Sequence, residues 1–290
     1  MESKHRDTRT FDRQASRAGW LVLVGALLWL IDLFPDYYVS RGSLLETSLL
    51  FNVIPLPALV VAGGLLLKER GRVAGAGIAI GVALGGLPFV LDDVTVVLQR
   101  EDIQPALGFF LGIASSLVIL IGAGFALWAI ALHPGIEFVS NRGNFMIAGG
   151  VGAVAVAYAA GQLLPSVRIS TALGSVDART PFSDPDLFTL WVVLGVLINI
   201  AVPVGSAFLS DLRVMTAILS GLTIALAADL ATTFETLGLD PSSSATVQVG
   251  PGTVLQTIAL VLFVVIAVIS GMSATSRASG VRRRSEEWAR

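Results

Sequence analysis

The chain has no cysteine, two histidines and two lysines among its 290 residues, and each scarcity closes off some chemistry. Without cysteine there is no disulfide, no thiolate-held zinc or iron–sulfur cluster and no thiol nucleophile. His5 lies in a polar leader and His133 stands beside Pro134 and Gly135 in what reads as a turn, so no site can be assembled from several imidazoles. Serines such as Ser115, Ser116 and the run 242–244 have no histidine on their side of the membrane to activate them. No Gly-x-x-x-x-Gly-Lys phosphate loop occurs. The sequence therefore points to no catalytic residue and no cofactor. Charge is scarce as well: charged residues make up 14% of the chain, against about 25% in an ordinary soluble domain. A soluble surface cannot be coated with so little.

What the chain has is apolar length. It is 54% hydrophobic, with a mean hydropathy of +0.80. A spanning helix needs about 20 mainly apolar residues to cross a hydrocarbon layer about 30 Å thick. Eight segments qualify, at residues 18–34, 48–67, 73–91, 106–132, 144–164, 187–209, 214–230 and 253–272. The expected fold is an all-α polytopic transmembrane bundle of about eight spans, preceded by a basic leader at 1–17 and followed by an arginine-rich tail at 273–290. A cleaved secretory signal is the competing reading of the first segment. The leader is long and carries Glu2, Asp7 and Asp12, and no small-x-small cleavage site follows Phe34, so a retained anchor is the better one.

Basic residues set the orientation, because translocating them is disfavoured. Fifteen of the nineteen Lys and Arg fall in the two tails and the even-numbered loops, including Arg282, Arg283 and Arg284. Both termini are therefore expected on the cytoplasmic side of the cell membrane, with the terminal arginines near anionic lipid headgroups. Nucleic acid is a poor partner for that tail, which is short and interrupted by Glu286 and Glu287. Trp20, Tyr37, Tyr38, Trp128 and Trp191 fall near expected helix ends, the level of the headgroups. An oligomeric state or protein partner is not legible.

Loop lengths follow a similar course in residues 18–132 and 144–272, which suggests a parallel repeat of two four-helix units. The long loops after the fifth and seventh segments alternate in strand fashion at 167–170 and 246–249, and Val94, Val97 and Leu98 suggest a short interfacial helix. Small residues four apart, Gly77, Gly81 and Gly85 in the third segment and Gly149, Ala153, Ala157 and Gly161 in the fifth, form grooves suited to close helix packing.

Three groups of residues could carry function. Asp32 and Asp229 are the only carboxylates inside the expected spans, each within a turn of the outer end, where external water can reach it. Asp92, Asp93, Glu101 and Asp102 after the third segment are the candidates for a divalent cation, although their spacing matches no familiar calcium loop. The second segment carries Asn52, Pro55 and Pro57, and the sixth carries Asn199 and Pro203. In each, an amide precedes a proline that frees a backbone carbonyl, and such interrupted helices are the best sequence pointer to a transport site. The leading expectation is a permease or channel-like protein for a small solute or ion. The alternatives are a structural or assembly subunit of an envelope complex, favoured by the grooves, and an outer-face membrane enzyme, favoured by the acidic loop.

Overall fold

In a computed structural model that describes residues 2–39, 42–43, 52–99, 103–133, 135–171, 174–177, 187–238 and 246–288, the described residues form a bundle of eight α-helices with two small sheets at one end. The helices are α1 (Glu2–Asp32), α2 (Pro55–Leu67), α3 (Arg72–Gln99), α4 (Leu107–Leu132), α5 (Arg142–Leu163), α6 (Leu187–Ser206), α7 (Leu212–Gly238) and α8 (Pro251–Trp288). Seven of them are long and apolar enough to cross a membrane. The eighth, α2, has 13 residues, with Asn52 and Val53 helical just ahead of it. Its start is set by Pro55 at the first helical position, where the missing N–H costs nothing.

Short strands gather at the end of the bundle where α1, α3, α5 and α7 finish. β1 (Asp36–Tyr38) pairs antiparallel with β2 (Gly42–Ser43). β3 (Val167–Thr171) lies between β4 (Gly174–Asp177) and β5 (Thr246–Val249), antiparallel to both. The alternating stretches at 167–170 and 246–249 are thus strands, and they pair with each other across the loops after α5 and α7. This end is called the sheet end below, and the opposite one the tail end.

The packing has the same form in both halves. α1 lies against α2 and α4, and α3 against α2 and α4; likewise α5 lies against α6 and α8, and α7 against α6 and α8. One apolar core is built from the first four helices with Val214 and Ile218 of α7, and a second from α5, α7 and α8 with Ala207. The halves meet along α3 and α7, where Gly77 faces Ala217, Gly81 faces Ile218 and Leu222, and Gly85 faces Ala225. The contacts advance in the same direction on both helices, so the two run parallel. Gly221 returns the approach, resting on the Ile78 backbone. Such backbone contact is how helices associate where lipid removes any hydrophobic incentive.

Three features differ from the sequence reading. The stretch with Val94, Val97 and Leu98 is no separate interfacial helix; α3 continues through it to Gln99. The leader is the first part of α1, tied to α3 at the tail end by an ion pair between Asp12 and Arg72. Tyr37 and Tyr38 are buried rather than at the lipid interface, whereas Trp20 and Trp128 are exposed.

Candidate functional site

At the sheet end of the first half a cavity of about 270 Å³ lies between α1, α2, α3, α4 and the flank of α7. Its wall starts with a sharp return of the chain. α1 ends at Asp32, and β1 folds back over the start of α4, where the Val39 N–H bonds to the Gln104 carbonyl and the Ala106 N–H to the Tyr37 carbonyl at 3.1 Å each. Two glycines of α4 make room for this. A methyl at Gly108 would meet the Asp36 carbonyl oxygen at 2.9 Å, and one at Gly112 would meet Asp32 Oδ2 at 2.8 Å. The return carries Tyr37 and Tyr38 inward, stacked edge-on with ring centres 4.9 Å apart and backed by Phe109.

Polar groups converge on this pocket. The Tyr37 hydroxyl donates to Asp93 Oδ2 at 2.8 Å, and Tyr38 reaches the same carboxylate. Burial, with the Asp93 charge beside it, holds the Tyr37 phenol well above its ordinary pKa, so it stays a donor. Asp32 is 2% exposed, close enough to Asp93 for their charges to repel, and its Oδ1 has no hydrogen-bond partner. Asn52, Ser115 and Ser116 add amide and hydroxyl groups, and Ser115 returns its own proton to the Gly112 carbonyl at 2.8 Å. Trp29, Tyr37, Tyr38 and Phe89 supply aromatic surface. No Lys, Arg or His is among the described residues that line the cavity. Two carboxyl groups in an aromatic-walled pocket, one of them with an oxygen lacking a partner, can be relieved by a proton or by a bound cation.

The sequence candidates fall in several places. Asn52 and Pro55 line the cavity, while Pro57 points outward and is exposed. Asp93 is in the cavity wall but on a helix, not in an acidic loop; Asp92 sits beside it on α3, and Glu101 and Asp102 lie outside the described residues. No group of three or more acidic or histidine side chains that could hold a metal ion occurs among the described residues. Asn199 and Pro203 are buried in the second half, where the Asn199 amide donates to Gln162 Oε1 at 3.1 Å. The second and sixth segments, α2 and α6, share no extensive interface, so Asn52 and Asn199 do not face a common interior. Asp32 was expected to be solvated and is buried; Asp229 is partly buried and bonded to Tyr158.

Comparison with protein families, curated proteins and solved structures finds no match. The geometry alone carries the functional reading.

Sequence reasoning missed Asp32, Tyr37 and Tyr38 as members of one site. A signal was there. A carboxylate ending an apolar segment, followed within six residues by a tyrosine pair, becomes one cluster if the chain turns back at once, and Pro35 marks such a turn.

Proposed function

We propose that this chain is a permease that binds a small organic cation, of the ammonium type, in the cavity at the sheet end of its first half. The observation that carries the reading is Asp32 Oδ1, buried without a partner in an aromatic-walled pocket that already holds Asp93. A carboxylate buried without a full set of partners is costly, and such groups in membrane proteins mark substrate or ion paths. A cation offsets that cost through Asp32, and the faces of Trp29, Tyr37, Tyr38 and Phe89 favour an alkylated ammonium over a bare metal ion. A calcium ion would want six to eight oxygens, more than two carboxylates and their neighbours readily converge.

In this reading the protein sits in the cytoplasmic membrane with both termini inside, as its basic residues favour, and the cavity faces outward. Arg282, Arg283 and Arg284 meet anionic headgroups on the inner leaflet. The third-segment groove that would favour an assembly subunit is used inside the bundle, since Gly77, Gly81 and Gly85 pack on α7; of the fifth-segment groove Gly161 packs on α8, whereas Gly149 has open space beside it.

The test is thermal stabilisation of the purified protein in lipid nanodiscs, since a ligand that binds only the folded state raises its apparent stability. Methylammonium and tetramethylammonium should raise the unfolding temperature, and Asp32→Asn should abolish the effect. Stabilisation by acetate or glucose instead, or by calcium alone, would refute the organic-cation reading.

A further inference from the structure

The second half holds a polar cluster that the cavity does not use. Asp229 follows the cavity-lining Ala228 on α7 but turns toward α5. There the Tyr158 hydroxyl, on a side chain with no exposed surface, lies 3.1 Å from Asp229 Oδ2 and 3.1 Å from the Leu226 carbonyl oxygen. Gln162, one turn further along α5, bonds to the same carboxylate, and its Oε1 accepts from the Asn199 amide of α6 at 3.1 Å. Asn199 Oδ1 is buried with no partner.

Counting protons decides what this cluster holds. A phenol has one proton to give. If Asp229 were ionised, the carboxylate and the Leu226 carbonyl would compete for it, and one of the two 3.1 Å contacts would set lone pairs against each other. A proton on Asp229 removes the conflict, because the carboxyl then donates to Tyr158 and Tyr158 donates to Leu226. The bonds on the other side already run the same way, from Asn199 to Gln162 to Asp229. No base stands ready to take the charge instead. The one ion pair among the described residues is Arg72 with Asp12, at the tail end. Of the elements packed on α7, α6, α2, β5 and the described side chains of α8 have no titratable group. α5 contributes Tyr158 at this end, and α3 contributes Asp92 and Asp93, the latter held by Tyr37. Glu235, further along α7, has no described side chain.

We propose that Asp229 is a proton-binding site, loaded in this conformation, and that its proton is the coupling ion for the solute in the neighbouring cavity. The second clause rests on the permease reading above. α7 links the two places mechanically, presenting Ala225 and Ala228 to the cavity and Leu226 and Asp229 to Tyr158. A shift of α7 that closes the cavity therefore moves the Asp229 carboxyl against its α5 partners. The glycine seam with α3 is the surface on which such a shift would slide.

Infrared spectra of the full chain in nanodiscs test the site by itself. A protonated carboxylic C=O band should be present at neutral pH, be lost in Asp229→Asn and be shifted but retained in Tyr158→Phe. A wild-type spectrum indistinguishable from that of Asp229→Asn would overturn the proton site, and should Asp229→Asn fail to fold, an unshifted band in Tyr158→Phe would do the same. In proteoliposomes at fixed membrane potential, an imposed proton gradient should accelerate tetramethylammonium movement several-fold. Asp229→Asn should lose that acceleration while keeping tetramethylammonium exchange. A sodium gradient acting in place of protons would overturn the coupling role. Absence of tetramethylammonium binding in a protein that shows the carboxylic band would overturn the permease reading and leave the proton site standing.

Discussion

Asp32 concentrates the tension between stability and function. Its unmatched oxygen is buried for a partner that the protein does not itself provide, so Asp32→Asn should leave the unliganded protein as stable as wild type or more so, while abolishing stabilisation by tetramethylammonium. Thermal unfolding with and without the cation reads both effects from one variant. Tyr37→Phe should act in the opposite sense. It removes a hydrogen bond to a carboxylate, worth about 1.5–3 kcal/mol, and leaves Asp93 with less to hold it in the wall, so stability and cation binding should fall together. Acidification should weaken cation binding, because protons compete for the carboxylates that the cation needs, and titrating the tetramethylammonium-induced shift against pH checks this. Part of this site was legible from residue type alone. Asn52 and Pro55 stood out because an amide beside a helix-interrupting proline is costly in lipid, and Asp93 because acidic residues cluster near it. Asp32 stood out as a carboxylate within a span but was read as solvated, since its burial depends on the return of β1 over α4, of which Pro35 marks the turn but not the place where it lands.

At the level of elements, apolar length set the helices and composition misled at one boundary. Asp92 and Asp93 break the apolar run of the third segment, so the sequence reading stopped at Leu91; the helix continues to Gln99 because Tyr37 satisfies Asp93 and the Thr95 hydroxyl bonds back to the Leu91 carbonyl at 2.9 Å. Trp191 of α6 donates in turn to Thr95, pinning the extension to its neighbour. The strands at 167–170 and 246–249 were legible because period-two alternation survives in short segments, although their pairing across the loops was not. The groove glycines were legible as packing residues, but not which helix would fill them. That distinction is testable. Gly81→Ala would drive a methyl into the Ile218 carbonyl and should destabilise the protein by about 1–3 kcal/mol, whereas Gly64 and Gly150, which have open space where a methyl would go, should tolerate alanine within about 1 kcal/mol. Thermal midpoints of the three variants in one detergent give the comparison, and equal midpoints would mean that α3 and α7 are not in backbone contact.

For the whole molecule, two four-helix groups pack in the same pattern around parallel α3 and α7, and each carries a carboxylate on its third helix and an amide on or just ahead of its second. Their chemistry differs: the first holds a cavity, and the second holds the bonded cluster of Tyr158, Gln162, Asn199 and Asp229. A protein that merely braced a complex would have no need of a cavity open to solute, so access to this one from either side of the membrane separates the two roles. The absence of cysteine makes that difference measurable, since one introduced thiol reports without background. Ser116 lines the cavity on α4, remote from the glycine seam. Ser116→Cys in sealed vesicles of known orientation should react with a membrane-impermeant thiol reagent added on the side opposite the two termini, and tetramethylammonium should slow the reaction. If the cavity alternates its access, the same cysteine should also react from the termini side, at a rate that changes when a proton gradient is imposed. Reaction from neither side would identify a sealed void and favour a structural role, and reaction from the termini side alone would invert the orientation that the basic residues favour.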